Sequence, residues 1–172
     1  QRPGILLNQL KPRGLYTSQA APTLNQFGGN VALGFQLTLS AAAGTIYYTR
    51  DGTDPRLSGG AVSPTAQVYS GPITLNQSTR LQARAFDGTT WSALDDATFF
   101  MIQNFEGLLI TEIMYHPPDT AITAGDAFEF IELKNVSSSN LELSGVRFTN
   151  GIAYTFPVGK FVAPGQFIVL VS

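Results

Sequence analysis

The sequence predicts an all-β chain organised as two consecutive modules. Three observations carry this. Short segments alternate apolar and polar residues with a period of two, as a strand with one buried face does. The 17 Gly and 10 Pro, with many Ser and Thr, cut the chain into pieces of strand length. The strand pattern runs to Met101, resets over 103–107 and starts again. No window shows a convincing helical period with caps.

Residues 1–21 read as irregular, a linker, because Pro3, Gly4, Pro12 and Gly14 interrupt every pattern and Pro22 follows. Strand signals begin at Val31. Phe35 to Ser40 alternates, and Thr45 to Thr49 is rich in β-branched and aromatic residues. Asp51-Gly52-Thr53-Asp54-Pro55 makes a turn: Asp bonds its own downstream backbone, Gly supplies positive φ and Pro ends pairing. Gln67 to Tyr69 and Ile73 to Leu75 are short strands flanking Gly71-Pro72. In Arg80 to Phe86, Leu81, Ala83 and Ala85 face one way and Arg80, Gln82 and Arg84 the other. Asp87-Gly88 is a hairpin-type turn, and Ala97 to Met101 closes the first module.

The second module opens with Leu108 to Tyr115, stopped by Pro117-Pro118. An acidic loop spans Asp119 to Asp126, and Phe128 to Leu133 is the next strand. Leu141 to Leu143, Val146 to Phe148 and Tyr154 to Phe156 follow as short strands, and Pro164-Gly165 is a turn. Phe167 to Val171 is a continuous apolar run, the pattern of a strand buried on both faces. It stops at Ser172 with no partner after it, so the module reads as cut off before its remaining strands, with an apolar edge prone to pairing or aggregation.

Composition narrows the function. A hydrophobic fraction of 44% supports a core, and a charged fraction of 13% is low against an average of roughly 25%. The net charge is −2 and the seven Arg are scattered, so no basic stripe is available for phosphate and no nucleic-acid partner is expected. With no Cys, disulfides, thiolate metal sites and a Cys nucleophile are excluded. No segment approaches the roughly 20 apolar residues of a membrane span. The chain starts at Gln1 without a signal peptide and reads as an excised piece whose targeting signal lies elsewhere.

Two family resemblances divide the chain where the pattern resets. Gly44-Thr45-Ile46-Tyr47-Tyr48-Thr49-Arg50-Asp51-Gly52-Thr53-Asp54-Pro55 resembles the signature of the chitobiase/β-hexosaminidase C-terminal-type domain (Fn3-associated, Ig-like). Tyr69 to Leu75 and Thr79 to Ala85 resemble that family's later segments in the same order. The resemblance covers about residues 22–102. Ile110 to Pro117, Glu129 to Asn135, Leu141 to Gly145, Phe156 to Gly159 and Pro164 to Val171 resemble the lamin-tail domain over residues 107–172. Together they imply two consecutive Ig-like β-sandwich modules, the second incomplete at its C-terminus, as in large secreted bacterial proteins.

Candidate chemistry is sparse. A hydrolase triad needs a His as general base. The single histidine, His116, is followed at once by Pro117-Pro118, and no G-x-S-x-G elbow accompanies it. Glu112, Glu129 and Glu132 fall on neighbouring strands, with Glu129 and Glu132 on opposite faces and Glu112 near one of them. Two carboxylates serve a glycosidase, but structural acids at a loop account for these as well. No catalytic residue is assigned and no enzyme activity is expected. Asp51 and Asp54, with Asp87, Asp95 or Asp96, are the candidates for calcium; a turn accounts for the first two fully. No other metal or cofactor is expected. Tyr47, Tyr48 and Trp91 are the candidate carbohydrate platform, although alternation turns one of the two tyrosines inward. The expected function is a non-catalytic structural or adhesive spacer and interaction pair on an extracellular or cell-surface bacterial protein. Its partners would be other domains of the same polypeptide, and protein or polysaccharide at the surface. The alternatives are a carbohydrate-binding accessory module and a fragment of an enzyme whose catalytic domain lies outside this chain.

Overall fold

The computed structural model describes residues 2–13, 17–122, 124–150 and 152–171, so Gly14 and Ser172 lie outside the described residues. The chain is nearly all β, as predicted. It divides into two compact units, 1–101 and 102–172.

The segment read as irregular carries a helix, α1 (Arg2–Leu10), followed by a 3-10 turn over Lys11–Arg13. Pro3 and Gly4 obscured it. Pro in a first turn costs little, because the N–H it lacks has no intrahelical acceptor there. Ile5 to Leu10 then contains no helix breaker.

The first unit is a sandwich. One layer is a five-stranded sheet of β2 (Gly29–Val31), β9 (Asp95–Met101), β8 (Thr79–Phe86), β5 (Thr45–Thr49) and β6 (Gln67–Val68), in that order. All its pairs are antiparallel except β2 with β9. Facing it are two ribbons, β1 (Thr23–Leu24) with β4 (Leu39–Ser40), and β3 (Phe35–Leu37) with β7 (Ile73–Leu75). The inward residues are those that alternation selects. Leu81, Ala83 and Ala85 are fully buried, as are Leu37, Leu75 and Phe99. Phe35 stacks on Phe99 with ring centroids 6.3 Å apart. Gly44 closes the β5 end in the left-handed region at φ 81, where a Cβ would lie 2.5 Å from the Phe86 carbonyl oxygen. Hydrogen bonding reaches back to Thr17, whose Oγ1 donates to the Trp91 carbonyl at 2.8 Å.

The second unit pairs β10 (Leu108–Met114), β11 (Phe130–Asn135) and β16 (Phe167–Val171) in one antiparallel sheet, with β11 in the middle. A bulge at Thr111 shifts the β10–β11 register. Two ribbons complete the unit: β12 (Leu141–Glu142) with β15 (Phe161–Val162), and β13 (Arg147–Phe148) with β14 (Tyr154–Thr155). Leu133, Leu141, Leu143, Phe156 and Val162 form its core. Asn135, fully buried, binds this core together. Its Nδ2 donates to the carbonyls of Ser139 and Val162 at 2.8 Å, and its Oδ1 accepts from Ser137 N and Oγ.

Two expectations change here. The acidic loop contains a 3-10 turn, Gly125–Phe128, so Phe128 precedes the strand instead of opening it. The last strand is not buried on both faces. Ile168 and Leu170 pack against the core, while Phe167, Val169 and Val171 are exposed. Among the described residues β16 pairs only with β11, so it lies at the sheet's edge with one face uncovered.

Candidate functional site

The outer face of the first unit's large sheet gathers most of its polar chemistry. Antiparallel register sets Tyr47 opposite Arg84, and Gln82 opposite Asp96. Arg84 donates to both carboxylate oxygens of Asp54, at 2.8 and 2.7 Å, and to the Ser92 carbonyl at 2.7 Å. Burial raises the Asp54 pKa, but the bond from Arg84, the Arg56 backbone N–H and the two guanidinium charges outweigh it and hold the carboxyl below its usual range. Asp96 accepts from Arg80 at 3.0 and 2.6 Å and from Gln82 at 2.9 Å. The Arg80 bonds lower its pKa against the opposing effect of burial.

This arrangement answers the calcium candidates in chemical terms. Asp51 Oδ1 accepts from Thr53 N at 3.0 Å and Thr53 Oγ1 at 2.6 Å, the closed turn expected of an Asp at this position. Asp54 faces a guanidinium, which repels a cation. Asp87 caps its own turn through the N–H groups of Thr89 and Thr90. Asp95 is buried on the inner face and Asp96 lies on the outer one, so the two adjacent acids do not converge. Asp51, Asp54, Asp87 and Asp96 thus each engage their own protein partners.

The aromatic candidates also separate. Tyr48 is 9% exposed and belongs to the core. Trp91 is 7% exposed. It stacks on Phe86 at 4.6 Å and tilts against Tyr47 at 5.5 Å, and its Nε1 donates to the Gly60 carbonyl at 2.7 Å. Its indole pins the 56–62 loop to the sheet, so its ring is not offered to a sugar face. Only Tyr47 of the three is both outside the core and partly exposed. Tyr47, Tyr48 and Trp91 do not form one exposed platform.

In the second unit, Glu112 lies directly opposite Glu132 across the β10–β11 pair, the proximity expected of it. Thr111 Oγ1 donates to Glu132 at 2.6 Å. Glu129 lies away from that pair, past the end of the 3-10 turn, where it accepts from His116 N at 3.0 Å. His116 Nδ1 lies 3.2 Å from Asp126 Oδ1, so the imidazole meets a carboxylate and not a hydroxyl.

The apolar edge expected at Phe167 to Val171 is present, and beside it lies a cavity that no sequence pattern pointed to. Ile113, Met114, Phe130, Ile152, Tyr154 and Val171 line an apolar cavity of about 670 Å³ at one end of the three-stranded sheet. Beside it, the outer face presents Val169 opposite Glu132 and Phe167 opposite Lys134. Val169 is 50% and Val171 75% exposed. Lys134 Nζ sits 4.5 Å over the Phe167 ring and partly covers it. The signal for the edge was present in the sequence, because Phe167 to Val171 is apolar at every position.

Residues 27–94 match the family model of the chitobiase/β-hexosaminidase C-terminal domain. Residues 103–172 match that of the lamin tail domain. The two follow in the order read from the sequence, and both families are Ig-like modules of larger proteins. No curated protein matches the chain.

Proposed function

We propose that these two matched domains, a chitobiase/β-hexosaminidase C-terminal domain and a lamin tail domain, act as non-catalytic structural and interaction modules of a secreted or cell-surface bacterial protein. They space other domains of that polypeptide and dock a partner strand on the second unit. The observation that carries this is the edge strand β16, whose outer face is apolar and exposed. Soluble monomers rarely leave contiguous apolar surface uncovered unless it binds something. An extended partner strand suits it: main-chain bonds to the edge β16 presents in this chain supply affinity, and alternate side chains meet Val169 and Val171. In the isolated chain, the available partner is a second copy.

Sedimentation velocity tests this. The chain is expected to associate reversibly as its concentration rises to about 100 µM, a range in which micromolar interfaces are populated. Val169→Lys adds a charge to the exposed face and shifts the chain to monomer. A wild-type chain that stays monomeric, or a Val169→Lys chain that associates equally, refutes the reading.

A further inference from the structure

We infer that His116, Asp126 and Glu129 form a binding site for a borderline divalent metal ion of the Zn²⁺ class, which fastens the 117–126 loop to the end of the sheet. One ligand atom from each of the three lies within 4.8 Å of the others.

The chain is built locally to bring them together. His116 has φ 48, the sole non-glycine residue at positive φ among the described residues. That turn directs the chain into Pro117-Pro118 and the return loop. Gly125 closes the loop: its N–H donates to Asp119 Oδ1 at 2.7 Å, and a Cβ there would lie 1.8 Å from the Pro117 carbonyl oxygen. Only glycine lets the two arms approach so closely. The following 3-10 turn has three residues per turn, so positions three apart eclipse. Asp126 and Glu129 are three apart, and both carboxylates meet His116. The His116 backbone N–H engages Glu129 Oε1, which orients that carboxylate as an outer-shell donor does in metal sites.

The donor set selects the metal. Two carboxylates match a dipositive charge, and an imidazole nitrogen favours Zn²⁺ and its neighbours over Ca²⁺ and Mg²⁺, which prefer oxygen. Three protein ligands leave one tetrahedral position for water.

The test is calorimetric titration of the full chain with ZnCl₂, alongside the visible absorption of added Co²⁺. One Zn²⁺ per chain is expected, with CaCl₂ failing to displace it. Asp126→Asn, at an exposed position, is expected to weaken Zn²⁺ binding at least tenfold, since even outer-shell losses cost about that much. His116→Asn, an amide that tolerates left-handed φ, is expected to abolish the Co²⁺ absorption. Absent saturable Zn²⁺ binding, or binding undiminished in Asp126→Asn, overturns the proposal. Should His116→Asn perturb folding by circular dichroism, Asp126→Asn decides alone.

Discussion

Asp54→Asn isolates the charge of the ion pair that fastens the D-G-T-D-P turn to the sheet. The amide keeps a carbonyl oxygen for the Arg56 N–H, so the turn's own bond survives. What is lost is the two-bond pairing with Arg84, whose side chain is 16% exposed against 34% for Asp54. Breaking a fully buried pair costs about 3–5 kcal/mol, and an exposed pair is worth about 0–1. This pair lies between, and Arg84 retains the Ser92 carbonyl, so a loss of about 2 kcal/mol is expected. Urea unfolding followed by tryptophan fluorescence measures it cleanly. Trp91 is the sole tryptophan and lies in the first unit, so its signal reports that unit alone. With a urea slope of about 1–3 kcal/mol per molar, the midpoint falls by roughly 1 M. The pH dependence gives a second check. The folded Asp54 pKa is depressed, so its stabilisation is present above the unfolded value and is lost as pH falls through the folded value. The Asp54→Asn penalty should therefore shrink in acid. A penalty below about 0.5 kcal/mol, the level of an ordinary surface substitution, or one unchanged in acid, would refute the reasoning.

Other substitutions probe separate parts of the account. Phe99→Ala, at a fully buried position stacked with Phe35, should cost about 3–5 kcal/mol in the same fluorescence assay. Asp95→Asn should stabilise the first unit at neutral pH. Burial, then the neighbouring Asp96 charge, holds the Asp95 carboxyl above its usual pKa, so its stabilisation is complete in acid and is lost as pH rises through the folded value. The gain should vanish below about pH 4, where the unfolded carboxyl is also protonated. Asn135→Ala should destabilise the second unit by about 2–3 kcal/mol, because it removes the buried bond to the Val162 carbonyl and the acceptor of the Ser137 N–H. Hydrogen exchange over residues 130–171 should accelerate while Trp91 fluorescence stays unchanged.

Much of this fold was legible because alternation is a local property. Arg80 to Phe86 showed its buried face directly, and Leu81, Ala83 and Ala85 are the result. Its other face is polar, yet Gln82 is buried and Arg84 partly so, because Asp96 and Asp54 from other segments cover them. Trp91 escaped for the same reason, its hydrogen-bond partner Gly60 lying 31 residues away. Short elements failed differently. β15 is two residues long, and β2 is built on Gly29 and Asn30, too little for a periodic signal. The 3-10 turn that unites His116, Asp126 and Glu129 has four residues and left no trace in hydropathy. The apolar run of β16 was visible, but hydropathy alone does not distinguish a strand covered on both faces from one that waits for a partner.

Hydrogen exchange of β16 at low and high chain concentration tests the central claim most directly. In an antiparallel edge strand, alternate N–H groups point away from the neighbour and exchange readily. If the exposed edge and face of β16 are a docking surface, exchange over residues 167–171 slows as concentration rises, while residues 79–86 in the first unit are unchanged. Exchange over residues 167–171 that is independent of concentration would contradict the account.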